Sequence, residues 1–323
     1  MSRGAKVQVI DPHGPGAGSS GGLVGALAPH VPENWNPKKA FQLESLLMAK
    51  GFWTKVAQAG GQSPGYVRSG RLQPIANETG LALARERATK AATLWHGQAT
   101  WHVESPPVDG WSPTTPTGWL IRDSLSALLH PRQAVNALTA ALQQRGVTVQ
   151  TTGDDRGAVL WATGVDGLRA LNETHTRTVG SGIKGQAALL DHDARGAPQL
   201  FVDGVHIIPH LDGTVGIGST SERDFDAPDT TDNQLDAVIA KARAAVPALR
   251  DATVIGRWAG VRPRARSRAP MLGAWPDRPG HFIANGGFKI GFGMAPKIAD
   301  VMADLMLEGR NGIPEGFTVG ASL

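Results

Sequence analysis

The chain has 323 residues, enough for one large or two modest domains with a well-buried core. Its 32 lysines and arginines against 28 acidic residues give a formal net charge of +4 without a run of five like charges, which argues against a nucleic-acid-binding protein. The absence of cysteine excludes disulfides, thiolate metal sites and a cysteine-linked cofactor.

Targeting signals and membrane spans have no counterpart in the sequence. The first residues lack the charged and apolar regions of a signal peptide, and no apolar run reaches 18 residues. We therefore expect a cytoplasmic protein. The 41 glycines and 22 prolines are typical of a loop-rich nucleotide-binding fold and fall short of the content of a disordered chain.

The chain opens with a predicted strand at residues 5–10, where β-branched and apolar residues alternate, and this strand ends at Asp11. In dinucleotide-binding folds the second strand ends in an acid whose carboxylate accepts hydrogen bonds from a ribose. Asp11 is our candidate for that contact. The competing interpretation is an ordinary surface acid at a strand end.

Residues 16–21 match the phosphate-loop pattern G-x-G-x-x-G, but the context of the match is wrong. Five residues, two of them proline, separate it from the strand, and only residues 22–28 follow before Pro29, too few for the crossover helix that the motif requires. The acid also precedes the motif instead of following it. We predict that this segment is not the phosphate loop.

Helical periodicity predicts a helix over residues 38–58 that Gly51 interrupts, and further helices over 81–94, 131–145 and 235–245. Trp95, Trp101, Trp111 and Trp119 are interleaved with prolines and glycines, which indicates a cap region with packed tryptophans and argues against a base-stacking platform. Strands are predicted at residues 147–149 and 159–164, the latter buried, and an antiparallel sheet at 185–190, 205–209 and 215–218.

The C-terminal region has the residues to hold an anionic, flat ligand. Glycines at 286, 287, 291 and 293 let the backbone approach such a ligand, and a helix opening near Met294 would direct free N–H groups and its positive dipole end at it. Arg262 and Lys289 add positive charge. The alternating arginines at 262, 264, 266 and 268 share one face if they lie on a strand, and a solvated basic edge is the simplest interpretation for all except Arg262.

These residues carry a family resemblance. Residues 258–263 (WAGVRP), Pro270 and Gly273, then the run GFKIG at 287–291 and Ala-Pro at 295–296, resemble the C-terminal signature of the D-amino-acid oxidase superfamily, which includes glycine and sarcosine oxidases. Residues 219–222 resemble the family's G-x-T-x-E turn. The resemblance implies non-covalently bound FAD, an Arg262 that binds a substrate carboxylate, and a last helix aimed at the flavin pyrimidine ring.

The implied fold is α/β, with an N-terminally truncated Rossmann-like FAD domain intertwined with an antiparallel-sheet substrate domain. Residues 1–35, 117–170 and 256–323 would form the first domain, and residues 36–116 and 171–255 the second. The glycine-rich strand-loop-helix of the family has no counterpart here, so residues 1–3 would lie where that helix ends. Residues 7–10, 159–163 and 282–284 are expected in one sheet.

The resemblance also implies the site residues. We expect Arg262 and Lys289 at the catalytic centre. A purely structural role is an equal alternative for Arg262, and a solvent-facing position is the alternative for Lys289. The Lys289 ammonium replaces an arginine that is frequent in the family, and it cannot form the same bidentate fork. The expected FAD-binding residues are Asp11, Ser19, Ser20, Gly21, Thr163, Gly164, Gly287, Phe288, Gly291, Phe292, Gly293 and Met294.

The implied activity is FAD-dependent oxidation of a C–N bond in an amino acid or secondary amine, with hydride transfer to flavin N5, a reaction in which the protein chiefly orients the substrate. Two alternatives stay open: a non-catalytic relative without flavin, and an enzyme that trims the wobble-uridine side chain of transfer RNA, against which the missing basic groove counts. A metal site at His206 and His210 is not expected because Pro209 breaks the helical spacing. Glycine-serine strings such as residues 18–22 lack the strand-to-helix elbow of a serine hydrolase.

Overall fold

The computed structural model describes residues 1–108 and 110–323. Within them the chain forms six helices, which are α1 (Pro37–Gly60), α2 (Glu78–Leu94), α3 (Pro131–Gln143), α4 (Gly164–Thr174), α5 (Asn233–Ala245) and α6 (Gly291–Glu308). It also forms fifteen strands, which are β1 (Val9–Ile10), β2 (Ala26–Leu27), β3 (Arg71–Pro74), β4 (Trp101–Glu104), β5 (Leu120–Asp123), β6 (Ala127–Leu128), β7 (Val149–Gln150), β8 (Val159–Trp161), β9 (Gly180–Asp191), β10 (Gln199–Val202), β11 (Val205–Pro209), β12 (Thr214–Gly218), β13 (Thr253–Ala265), β14 (Met271–Ala274) and β15 (His281–Asn285).

Eight strands form one large mixed sheet in the order β13-β9-β12-β11-β10-β3-β5-β4. Every pairing is antiparallel except β10 with β3. The longest ladder joins β13 to β9, where Thr253 to Ala265 pair with Asp191 to Gly180. The predicted strands at 185–190, 205–209 and 215–218 are therefore confirmed as an antiparallel sheet, and the α/β fold class is confirmed.

The two faces of this sheet differ in chemistry because side chains alternate along each strand. One face packs apolar residues of β9 to β12, including Leu190, Ile207 and Ile217, against α5. The opposite face carries cationic and aromatic side chains together with glycines: Arg71, Phe201, His206, Trp258, Arg262, Gly185, Gly216 and Gly218. We call this second face the polar face.

Two smaller sheets correct a prediction. β8 and β15 pair in parallel beside β14, but β1 pairs only with β7, in a separate two-stranded sheet. The expectation that residues 7–10, 159–163 and 282–284 share one sheet is therefore wrong. Among the described strands, β1 pairs only with β7 and β8 pairs only with β15, so no strand joins the two sheets. The expected burial of β8 is also wrong, since Leu160 is 42% exposed.

Helix α1 runs through Gly51 without interruption, which corrects the predicted break. Asn36 caps its first turn by accepting from the Lys39 N–H, and Gly61 ends it in the left-handed conformation. A β-carbon at Gly51 would meet nothing within 4 Å, so this glycine lies on the open side of the helix. It therefore destabilises the helix only through the low intrinsic helix propensity of glycine. Helix α1 packs against α6, with Leu46 about 3.5 Å from the position that a β-carbon on Gly293 would take.

The phosphate-loop match at residues 16–21 ends in a short 3-10 turn, Ser19–Gly21, and leads into β2 instead of a helix. The prediction that it is not a strand-loop-helix phosphate site is confirmed. Trp95, Trp101 and Trp111 are buried packing residues, as predicted, whereas Trp119 lies at the surface. Among the described residues, no helix has the length and apolar character to cross a membrane.

Candidate functional site

Arg262 lies on the polar face of the large sheet and is almost completely buried, with 9% of its surface exposed. Its Nη1 donates to the Ser219 hydroxyl at 2.7 Å, and its Nη2 donates to the carbonyls of Thr220 at 2.7 Å and Lys184 at 3.2 Å. Among the described residues the buried Nε–H has no partner, and no carboxylate lies within 4 Å of the guanidinium. Burial lowers the pKa of Arg262 to about 10, so it stays charged at neutral pH.

The guanidinium has room only because the neighbouring strand carries a glycine. A β-carbon on Gly185 would lie 2.0 Å from Nη2 of Arg262. Any larger residue at this position of β9 would displace the arginine from the sheet surface. The glycine therefore sets where the charge lies.

The turn at residues 219–222 holds Arg262 in place. Glu222 is buried and pairs with Lys184 at 3.6 Å, and Gln186 donates to its carboxylate at 3.0 Å. Backbone hydrogen bonds in both directions join Lys184 and Glu222. The turn that resembles the family's G-x-T-x-E motif thus presents Ser219 and Thr220 to the guanidinium, a function that the sequence alone did not reveal.

Phe288 lies in the middle of a group of cations. The ring centroid is 5.4 Å from the guanidinium carbon of Arg262, 5.5 Å from that of Arg264 and 5.8 Å from Nζ of Lys289. Phe288 has a φ of 46°, an uncommon conformation for a bulky residue, and its N–H donates to the Pro263 carbonyl. The structure therefore brings Lys289 next to Arg262, as expected for the two candidate catalytic residues.

Asn285, which the sequence did not single out, joins two predicted segments. Its amide donates to the Gly164 carbonyl at 2.8 Å and accepts from the Gly286 N–H at 2.7 Å. Thr163 and Gly164 at the end of β8 are thereby fixed beside the glycine-rich run after β15. The signal was present in the sequence as an amide at the end of a predicted strand, but its partner is 121 positions away.

Helix α6 begins at Gly291, three residues earlier than predicted, and no side chain caps its first turn. The N–H of Met294 bonds to the Ile290 carbonyl and its side chain is buried, so Met294 offers no free donor. The donors at this end of the helix come from Gly291, Phe292 and Gly293 instead. A β-carbon on Gly291 would meet nothing within 4 Å, which leaves a ligand free access to the backbone.

The N-terminal candidates form their hydrogen bonds with segments other than the group around Arg262. Asp11 accepts from the His13 N–H at 3.1 Å, and its own N–H continues the ladder to Gln150. Ser19, Ser20 and Gly21 form the 3-10 turn, where the Gly21 carbonyl accepts from Arg132 at the start of α3. Next to this turn, Gly22 packs against the Trp258 ring on the polar face, and a β-carbon on this glycine would lie 3.3 Å from the ring.

His210 is buried and His206 is half-buried, and both are neutral at pH 7. Loss of solvent, and then the nearby Arg71 and Lys289, lower the pKa of His206 to about 3. Burial, and then the neighbouring His130, lower the pKa of His210 to about 4. His210 bonds through Nε2 to the Leu23 carbonyl at 3.0 Å. Nowhere in residues 1–108 or 110–323 do three or more acidic or histidine side chains gather as a metal site would require.

Residues 1–305 match the family described as DAO, FAD dependent oxidoreductase. The chain belongs to this family. The match covers most of the 323 residues and includes β13, the glycine-rich run and most of α6, which are the segments that build the group around Arg262.

Similar proteins include the glycine oxidase of Pseudomonas aeruginosa, 33% identical over 132 residues, which are 41% of this chain and 36% of that protein. The bifunctional protein MnmC for tRNA 5-methylaminomethyl-2-thiouridine biosynthesis from Polaromonas naphthalenivorans is 26% identical over 93% of this chain and 53% of its own length. The chain thus spans about a third to a half of the length of these relatives. The crystal structure of glycine oxidase from Geobacillus kaustophilus superposes with a TM-score of 0.83 at 19% identity, covering 98% of this chain and 92% of that one.

FAD is the cofactor of this DAO family, and the described residues fit its flavin ring. The uncapped α6 terminus supplies N–H donors, and Gly291 leaves its backbone open, since a β-carbon there would meet nothing within 4 Å. Gly287 allows its loop to approach Gly291 closely, since a β-carbon on Gly287 would lie only 3.1 Å from the Gly291 Cα. For the phosphates the fit is incomplete, because the glycine-rich turn at residues 16–21 precedes no helix. Gly287, Phe288, Gly291, Phe292 and Gly293 would hold the ring end of the cofactor.

Proposed function

We propose that this protein is a flavin-dependent oxidase or dehydrogenase that oxidises the C–N bond of an amino acid or a carboxylate-bearing secondary amine. The observation that carries the proposal is Arg262, a buried cation with an unpartnered Nε–H and no carboxylate within 4 Å among the described residues. A buried charge requires a partner, and a substrate carboxylate supplies one.

Three features of the chain have separate roles in the proposed reaction. Arg262 binds the carboxylate, while Ser219, Thr220 and Lys184 hold the guanidinium in one orientation. The ring of Phe288 and the neighbouring sheet exclude water from the carboxylate, which strengthens the ionic bond. When bound beside Arg262, FAD would supply the acceptor for a hydride from the substrate carbon next to nitrogen.

The proposal is tested by anaerobic flavin reduction. The protein is loaded with FAD and mixed with glycine, sarcosine, D-alanine and L-alanine, and with methylamine and dimethylamine as matched amines without a carboxylate. Bleaching of the flavin absorbance by the carboxylated amines alone is the expected result. Failure of every amine to reduce the flavin in fully loaded protein would contradict the proposed reaction.

A second candidate is the trimming of the wobble-uridine side chain of transfer RNA, favoured by the alignment with MnmC across 93% of this chain. Flavin reduction by modified transfer RNA, without reduction by glycine or sarcosine, would favour this candidate over a free amino acid.

A further inference from the structure

The sequence contains two Asn-Gly pairs, at residues 285–286 and 311–312. In such a pair the backbone nitrogen of the glycine can attack the side-chain amide carbon of the asparagine, because no β-carbon obstructs its approach. The attack also needs an accessible amide and a glycine N–H that is free of hydrogen bonds. The two pairs differ in each of these conditions, although the dipeptide is the same.

Asn285 is protected from this reaction. It ends β15, is 9% exposed, and donates through its side-chain amide to the Gly164 carbonyl at 2.8 Å. The Gly286 N–H, which would have to lose its proton before the attack, donates to the Asn285 side-chain oxygen at 2.7 Å. Both hydrogen bonds must break and the end of the strand must open before the reaction can start.

Asn311 lies in the opposite environment. Helix α6 ends before Gly309, and the exposed pair Asn311 and Gly312 follows. Among the described residues, the Gly312 N–H has no hydrogen-bond partner. The side-chain oxygen of Asn311 accepts from the Ile313 N–H at 3.1 Å, which turns the amide back over the following peptide and polarises its carbonyl. The electrophilic carbon and the free nitrogen are thereby held near each other.

We propose that Asn311 is a site of spontaneous modification, at which its side-chain amide is converted to aspartate and isoaspartate. The Gly312 nitrogen loses its proton to water and forms a bond with the side-chain amide carbon, while the bond from that carbon to the amide nitrogen breaks and ammonia leaves. Water then opens the cyclic imide at either of the two bonds between its nitrogen and a carbonyl carbon. One product is aspartate. The other is isoaspartate, in which the main chain runs through the side-chain carbon. Water is the only other reactant, so the inference goes beyond the proposed function and does not depend on it.

The position of the modified residue decides its effect on the fold. Isoaspartate lengthens the main chain by one carbon between α6 and the short 3-10 turn Glu315–Phe317. Ile313 and Phe317 pack in one apolar cluster with Val301 of α6, so the connection between the helix and the turn has a fixed length. We therefore expect the isoaspartate form to melt at a lower temperature. Gly291 lies at the other end of α6, so the modified protein should keep its affinity for flavin.

The experiment follows both pairs in purified protein kept in mildly alkaline buffer. Peptide mass spectrometry measures the conversion of amide to acid at Asn285 and Asn311, and transfer of a labelled methyl group by an isoaspartyl methyltransferase counts isoaspartate. In the folded protein we expect Asn311 to react at least about tenfold faster, because Asn285 must first lose its buried hydrogen bonds. In denaturing urea the two rates should become comparable, since the fold no longer separates the two pairs.

Two variants and one control test the geometry at Asn311. Gly312→Ala should slow the reaction several-fold, because the added methyl group crowds the attacking nitrogen. The fold has room for this methyl group, since a β-carbon at Gly312 would lie 3.8 Å from Val301. Asn311→Gln should remove the isoaspartate signal of this peptide. Asn233→Gln, which replaces an exposed asparagine that precedes no glycine, is the matched control and should leave the signal unchanged.

Melting temperatures of the variants show that each is folded. Equal rates for the two pairs in the folded protein, no isoaspartate at Asn311, or a rate that Gly312→Ala does not change would overturn the inference.

Discussion

Replacing Arg262 by alanine tests the central residue of the site. A charge-assisted hydrogen bond contributes about 1.5–3 kcal/mol, which corresponds to about a 10- to 150-fold loss of kcat/KM for a substrate that carries a carboxylate. The loss should reach the upper end of this range because Arg262 is buried and its removal leaves the substrate anion without a partner. A matched amine without a carboxylate should lose less than about threefold, because it never made this bond.

Arg262→Lys separates charge from geometry. The guanidinium donates three hydrogen bonds, to the Ser219 hydroxyl and to the carbonyls of Thr220 and Lys184, and keeps its Nε–H for a substrate carboxylate, whereas an ammonium cannot make these three bonds and also bind the substrate. We expect Lys to recover part of the lost rate and no more. Steady-state flavin reduction with the substrate pair is the assay. Equal losses for both substrates in Arg262→Ala would show that the arginine is structural and would refute the reasoning.

Three further predictions concern stability and cofactor binding. The pKa of His210 is about 4 in the folded protein and about 6.5 in the unfolded chain, so the unfolded chain binds more protons as the pH falls below 6.5. Between pH 7 and 4.5 this difference should lower the free energy of unfolding by about 2.5 kcal/mol. Denaturant midpoints that do not fall, or that fall equally in His210→Gln, would contradict this. Asn285→Ala should lower the free energy of unfolding by about 1–3 kcal/mol, because the Gly164 carbonyl and the Gly286 N–H both lose a hydrogen-bond partner. The loss should be measured as a lower melting temperature, and an unchanged melting temperature would contradict it. Because the glycine-rich turn at residues 16–21 leads into β2 and not into a helix, residues 1–323 should hold FAD substoichiometrically, as measured by the flavin absorbance of the purified protein. A stoichiometrically yellow protein would show that a helix after this turn is dispensable.

Local patterns in the sequence were sufficient for elements whose cause is local. The apolar stripe of α3, with proline at its first position, predicted that helix to within two residues, and β11 was predicted at the observed residues 205–209. The same holds for the turn at residues 16–21, where missing downstream length excluded a crossover helix. In each case the determining interactions lie within one element or between neighbours along the chain.

The signature around Arg262 predicted the family, because it consists of residue types at short, fixed spacings. It did not predict what surrounds the arginine. Ser219, Lys184 and Gly185 come from other strands and turns, and the hydrogen bonds to Ser219 and Lys184 span 43 and 78 positions. The pairing of β13 with β9, together with that of β9 with β12, brings these residues to the guanidinium.

Tertiary structure also decided where sequence rules fail. Gly51 does not break α1, because the gain from packing the helix against its neighbours exceeds the modest propensity cost of one glycine on the open side. β1 does not join β8, because strands pair only when a neighbour lies at hydrogen-bonding distance, and the alternation of apolar residues that predicts a strand does not identify that neighbour. The sequence alone therefore determined the family and those elements whose cause is local, whereas the pairing partners of the strands and of the buried charges depended on long-range packing.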